Sequence, residues 1–465
     1  MGIVFGTLFL VGCSGTTPNL GKIGKSNNCE SNQKTKSYEM QNANMKKNQK
    51  DDLLWYMDAG LVAYYAQDYN TSTHFFDQAE KKIKAFNKKV WAGTLFSNVG
   101  AILTNDTFMD YTPKIYEGIM VNTYKGIGFM SEGDLTNARI EFNRALERQR
   151  RAKDFFIKEI EQEQKKIEED TKARAKDKKI NLAQTQKASN DARTKDFIQR
   201  RYSNLFAFKP YPDFVNPFTT YMSGLFFLSV HDYAKATDLF KETYGMIQAN
   251  ATGASYVKED LLYAMKASAS LNGVSKKHYA WIVFANGESI SKKEMRFDIP
   301  LFLVTNKVYY TGIALPTLQE NPAVYPYLIV HNGKHFVKTK EIASMDKIIK
   351  TEFKKRFPTI MTRAITRAVT QSIIQYQLQK EGGVFGGLLG AVYQGLMNHA
   401  DTRQWNLLPK DFQIARIELA NPHVMIRSPQ AKWSINLDIN QNKNHIIYIS
   451  IPHQDGKEIV NEVSF

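Results

Sequence analysis

The sequence predicts an α+β fold. Its amino-terminal half is an array of helical repeats with a long helical insertion, and its carboxy-terminal half is a mixed α/β domain with an antiparallel sheet. Three observations predict this. Glycine, aromatic and alanine residues recur at fixed offsets in three segments between residues 51 and 274. A run without Gly or Pro, rich in Lys, Glu, Gln and Ala, separates the second segment from the third. From about Ser275 onward, apolar residues alternate with polar ones, the period of a strand.

The first segment carries Gly60, Tyr69, Phe76 and Ala79. The second carries Gly126, Phe129, Gly133, Leu135, Ala138, Phe142 and Ala145, and the third Gly224, Phe227, Tyr233, Ala236 and Phe240. Counted from the first glycine, an aromatic or Leu falls at +9, a Phe at +16 and, in two of the three, an Ala at +19. This spacing resembles the tetratricopeptide repeat, which implies an α-solenoid. Small residues let two antiparallel helices approach, and aromatics fill the groove beside them. The first segment departs from the pattern at Ala63 and Ser72, the third at His231 and Thr243.

Residues Glu141 to Arg201 read as one or two long helices, with the insertion proper at about 146–201. A straight helix of ~60 residues would reach about 90 Å. Phe155, Phe156, Ile160, Ile167 and Ile180 give a sparse apolar seam. Two readings stay open: a solvated helical hairpin, and a protruding arm that contacts a partner. Interleaved acids and bases argue against a nucleic-acid arm.

The domain at 275–465 opens with Ala280–Phe284 before Asn286-Gly287, a dipeptide that predicts a hairpin. Strands are expected at Phe297–Val304 and Val308–Ala314, and a second hairpin from Tyr327–Val330 and His335–Lys338. A helical stretch, Ile342 to Lys380, is expected to break near Pro358. Its apolar face is Met361, Ile365, Ala368, Val369 and Tyr376, and its basic side Lys350, Lys354, Lys355, Arg356, Arg363 and Arg367. The Gly-rich helix at about 382–398 forms a smooth stripe, open to close packing, self-association or a lipid surface. Trp433, Ile435, Leu437 and Ile439, then Ile447, Ile449 and Ile451, predict an antiparallel sheet with one buried face.

The amino terminus sets the expected location. Ile3 to Val11 is almost wholly apolar and ends in Leu10-Val11-Gly12-Cys13, which resembles a bacterial lipobox. That resemblance implies a lipoprotein signal peptide at 1–12 and acylation of Cys13, with Ser14 favouring the outer membrane. Several acyl chains anchor firmly where one does not. Residues 13–50 hold few large apolar side chains and read as a flexible tether that contains Cys29.

Two cysteines exclude a disulfide scaffold and a Cys-rich metal module. No apolar run reaches the ~20 residues a spanning helix needs. P-loop, dinucleotide, nucleophile-elbow and HExxH motifs are missing. His331 and His335 fall on a hairpin, where solvent-exposed turn histidines are the simpler reading. His399, Asp401 and Arg403 could suggest acid–base work. An Asp–Arg pair that fixes a loop above Trp405 is the simpler reading. The net charge of +16 points to anionic envelope polymers as a partner, and a secreted address argues against nucleic acid.

The most distinctive stretch holds Asp401, Thr402, Arg403, Trp405, Leu408, Pro409, Ala415 and Arg416. With the lipobox, the broken repeats and the basic helix, it resembles an uncharacterised family of bacterial outer-membrane lipoproteins. Family members have no assigned activity. Some are encoded beside small lipoproteins that activate penicillin-binding proteins, which implies a cell-envelope role. The expected function is a non-enzymatic, cofactor-free, lipid-anchored scaffold that faces the periplasm and binds an envelope protein through the concave side of its repeats. The alternatives are a self-associating subunit of an envelope-spanning assembly and a peptidoglycan hydrolase.

Overall fold

The structure is a computed structural model that describes residues 51–95, 109–177, 192–208, 210–211, 213–269, 277–300, 310–397, 399–454 and 458–465. The lipobox, Cys13 and the tether lie outside the described residues.

Helices α1 (Asp52–Tyr65) and α2 (Tyr69–Ala92) form a hairpin, as do α3 (Ile115–Ser131) and α4 (Leu135–Asp177). Short helices α5 (Ala192–Arg201) and α6 (Ser203–Ala207) lead to a third hairpin, α7 (Pro217–Ser229) with α8 (Tyr233–Ile247), and α9 (Ala254–Ala269) packs on α8. The repeated glycines explain the close approach. A Cβ at Gly60 would stand 2.6 Å from the Phe76 ring, at Gly126 3.1 Å from Phe142, and at Gly224 2.7 Å from Phe240. The residue seven positions after each glycine turns the chain in the left-handed region: Gln67 at φ 58°, Gly133 at 79° and His231 at 61°. Gly133 does so without strain, and the other two carry a Cβ there at roughly 1 kcal/mol. The next residue is an aspartate each time. Asp68, Asp134 and Asp232 accept the backbone N–H of Thr71, Asn137 and Lys235 at 3.2, 3.0 and 3.4 Å, capping α2, α4 and α8. Ser72, where the pattern expects Ala, donates its hydroxyl to the Gly60 carbonyl at 2.8 Å.

The carboxy-terminal strands form three sheets. The largest has the order β11 (Ile459–Ser464), β10 (His445–Ile451), β1 (Tyr279–Asn286), β7 (Asp411–Glu418), β6 (Lys340–Ser344). A second pairs β2 (Ser291–Pro300) with β3 (Tyr310–Gln319). The third runs β5 (His335–Lys338), β4 (Ile329–Asn332), β8 (His423–Arg427), β9 (Ile435–Asp438). The hairpin at Asn332-Gly333 forms as expected, with Gly333 at φ 60°.

Three expectations are corrected here. Asn286-Gly287 closes no hairpin: β1 pairs antiparallel with β7 and parallel with β10. The isoleucines of β10 and the alternating residues of β9 lie in different sheets, and β10 is buried on both faces. Helix α10 (Met345–Met397) runs through Pro358 unbroken. An internal Pro costs about 3 kcal/mol; packing of Phe357 and Met361 against β3, and ion pairs of Arg356 and Arg363 with α4, offset it. The glycine-rich segment is helical through Met397; its side-chain packing and that of Tyr376 lie outside the described residues.

The strand period sorts the core into layers. Trp281, Val283 and Ala285 of β1, with Tyr448 of β10, face the helices, while Ala280, Ile282 and Phe284 face the four-stranded sheet. The inner helices α3 and α7 are buried almost throughout. Phe218 of α7 stacks on Phe412 of β7 with ring centroids 3.5 Å apart, and Trp405 packs edge-on against Phe76 and Tyr124. The inner side of the hairpin array is therefore filled by the chain's own sheet. The described parts of the insertion are the end of α4, to Asp177, and the separate helix α5; α4 buries Ala152, Glu159, Glu163, Ile167 and Asp170 and leaves Lys153, Ile157, Glu161 and Lys165 exposed.

Candidate functional site

Five pieces of chain meet where α3 begins: residues 109–116 at its start, the first half of α10, the β2–β3 hairpin, residues 399–403, and α4 through Glu159 and Glu163. They enclose a cavity of about 130 Å³. Leu315, Ile349, Phe353 and Ile360 make one wall apolar, and charged side chains form the rest.

The charged wall is built from locked pairs. Glu352 of α10 accepts the backbone N–H of Ile115 at 3.1 Å and of Tyr116 at 3.4 Å, capping α3 from another element. One turn along, Arg356 donates Nε to Glu352 at 2.8 Å and both terminal nitrogens to Glu159 of α4 at 2.8 Å. Arg363 pairs with Glu163 at 2.8 Å. The basic side of this helix is thus partly turned inward onto the acids of α4. At the mouth, Arg403 donates Nε to Asp401 Oδ1 at 2.9 Å and Nη2 to Asp401 Oδ2 at 3.0 Å. Its Nη1 reaches Asp51 at 2.6 Å and the Met109 carbonyl at 2.9 Å. Burial works to raise the Asp401 carboxyl, but the hydrogen bonds and charge of Arg403 outweigh it and hold the group down at about 2.

Two ammonium groups on this wall differ. Lys292 of β2 donates to the Arg403 carbonyl at 3.2 Å, and Lys114 donates to the Thr112 carbonyl at 2.9 Å. Among the described residues no carboxylate pairs with either. Burial, and then the charge of Lys114, push the Lys292 ammonium down to about 8. Below them Glu117 accepts from Tyr111 at 2.5 Å and from the Lys114 backbone at 2.8 Å, its carboxyl raised by burial. Asp401, Glu117 and Glu352 act against the lowering of Lys292, so acids and bases lie close together around the two ammoniums.

The distinctive carboxy-terminal segment is split by the fold. Asp401 and Arg403 line the cavity, with Thr402 half-buried beside them. Trp405, Leu408 and Pro409 are buried, and Leu408 accepts the Ser289 N–H at 2.7 Å. Ala415 lies in the sheet core on β7. Arg416 reaches a separate hub, where Asp260 accepts from Arg416 at 2.9 Å, Trp281 at 2.9 Å and Tyr221 at 2.9 Å. Burial raises Asp260 to about 6 despite Arg416. His399 is exposed and contacts Arg296 at 2.7 Å.

The repeat residues serve packing, except Leu135 of the second segment, which is exposed. Phe76, Phe142, Phe240, Ala79, Ala138, Ala145 and Ala236 are fully buried, while Tyr69, Phe129 and Tyr233 pack at the core's edge. Sequence reasoning missed Lys114, Lys292, Glu352 and the three capping aspartates. Only the aspartates carried a signal, recurring eight residues after each repeat glycine. His331 and His335 lie on paired strands, and among the described residues no group of three or more His, Cys, Asp or Glu is placed to hold a metal. Family models, curated proteins and solved structures give no match to this chain.

Proposed function

We propose that this chain is a bacterial outer-membrane lipoprotein, anchored by acyl chains on Cys13, that faces the periplasm and works by binding rather than by catalysis. Leu10-Val11-Gly12-Cys13 supports the anchor. No described helix is long and apolar enough to cross a membrane, so attachment through the described part would need another device. A tetratricopeptide-like array supports the scaffold role. The observation that carries it is the threefold recurrence of one hairpin geometry: left-handed turn, aspartate cap, and Phe ring against glycine.

The binding surface is not the inner face of the array, because Phe412, Trp405 and Tyr448 already occupy it. An envelope protein would meet the outer helices α2, α4 and α8, and the surplus of positive charge favours anionic envelope polymers as a second contact.

Growth with radiolabelled palmitate tests the anchor. Label on the wild type, none on Cys13→Ala, and release of that variant from the outer-membrane fraction are expected. Unlabelled wild-type protein in the cytosolic extract contradicts the reading. In-cell cross-linking with mass spectrometry tests the scaffold role: cross-links from α2, α4 or α8 to one distinct envelope protein are expected. Cross-links to other copies of this chain alone would replace scaffold with self-assembly.

A further inference from the structure

We propose that the cavity beneath residues 399–403 binds a phosphate monoester, its head between the ammonium groups of Lys114 and Lys292 and its short organic part against Leu315, Ile349 and Phe353. The cavity's own acids are committed elsewhere. Asp401 is held bidentately by Arg403, Glu352 by Arg356 and the first turn of α3, Glu159 by Arg356 and Glu163 by Arg363. Asp110 is exposed at the rim. Among the described residues Lys114 and Lys292, both half-buried, hydrogen-bond only to backbone carbonyls; they repel one another, and Asp401, Glu117 and Glu352 act on Lys292 from nearby without an ion pair. Both ammoniums line the cavity, and the nearby carboxylates Asp401, Glu117 and Glu352 are each held by other groups, so the N–H donors of both lysines can turn to a ligand.

Two facts narrow its chemistry. Two mutually repelling ammoniums are neutralised by a dianion, whereas a single carboxylate neutralises one. Lysine serves as a point-charge partner of phosphate. The cavity, about 130 Å³, is roughly ten times the ~10–15 Å³ that one water needs. That suits a compact head with a few carbons, and the apolar wall supplies the surface for them. A soluble phosphate ester and the head of a short phospholipid share this chemistry. The site does not depend on the acyl anchor.

Titration calorimetry at neutral pH tests it, using full-length Cys13→Ala protein in detergent. The probes are butyl phosphate, inorganic phosphate and dihexanoyl phosphatidic acid. Butyl phosphate should bind at one site, about tenfold or more tighter than inorganic phosphate, since each buried CH₂ contributes about 0.8 kcal/mol. Lys292→Met and Lys114→Gln should each weaken it about tenfold or more, and the exposed Lys432→Met should leave it unchanged. Lys114 is half-buried at a helix start, so its variant keeps the test valid if Lys292→Met fails to fold. Phosphatidic acid that binds at least as tightly assigns the site to lipid heads; one that is excluded while butyl phosphate binds assigns it to soluble esters. Absence of saturable binding, inorganic phosphate binding as tightly as the ester, or unaltered affinity in both lysine variants would overturn the proposal.

Discussion

Two lysines inside this protein meet opposite fates. Lys125 of α3 sits among Asp77, Glu80 and Glu141 at 2.8, 3.0 and 2.9 Å, with Asn122 and Arg148 completing the network. Burial works to lower its ammonium, but Glu141 and Glu80 outweigh that and raise it. Lys292 is lowered instead, by burial and then by Lys114, which outweigh Asp401, Glu117 and Glu352 nearby; among the described residues it forms no ion pair. A side chain whose partners come from its own hairpins holds the fold together. One without an ion pair keeps its N–H donors for a ligand such as the proposed phosphate.

The largest effect should come from breaking the satisfied site. Lys125→Met leaves Glu80 and Glu141 buried against each other, and should cost about 3 kcal/mol or more, read from the urea midpoint. A smaller loss, about 1–3 kcal/mol, is expected from Gly224→Ala, whose new Cβ would meet Phe240 at 2.7 Å. Gly126→Ala, at 3.1 Å, should lose less. Lys292→Met should do the reverse of Lys125→Met: without phosphate present, it should raise stability at neutral pH by about 1 kcal/mol.

The pH dependence separates the two sites further. Burial works to raise the Glu80 carboxyl, yet Lys125 holds it down at about 2. Its contribution is present above the ordinary 4.5 and is lost as pH falls toward 2. Glu80→Gln should flatten that acid limb in urea melts followed against pH. Lys292 acts at the other end. Its folded value of about 8 lies below the ordinary 10.5, so the unfolded chain binds more protons between the two. Wild-type stability should therefore gain on Lys292→Met across that alkaline window.

How much of this was legible follows from the range of the contacts. The hairpin cores could be read because Gly60 and Phe76, or Gly224 and Phe240, are local partners at fixed spacing. The sheets were misread where pairing is long-range. Asn286-Gly287 has a hairpin's composition, but β1 takes its neighbours from β7 and β10, far along the chain. The covered inner face was illegible for the same reason, since Phe218 finds Phe412 only in three dimensions. Asp401 and Arg403 were read as a loop-fixing pair, and that is their geometry. Lys292, within the ordinary polar run Ser291-Lys292-Lys293-Glu294, gave no sign of its burial. Arg403, Lys114, Asp401, Glu117 and Glu352, all distant in sequence, distinguish it from Lys293.

The most direct test is NMR of full-length protein labelled at lysine ¹³Cε, titrated against pH with and without saturating butyl phosphate. The account predicts that Lys292 titrates near 8 alone and moves up toward 10.5 with the ester, while Lys125 stays high in both. A Lys292 signal that titrates with the surface lysines and ignores the ester would contradict it.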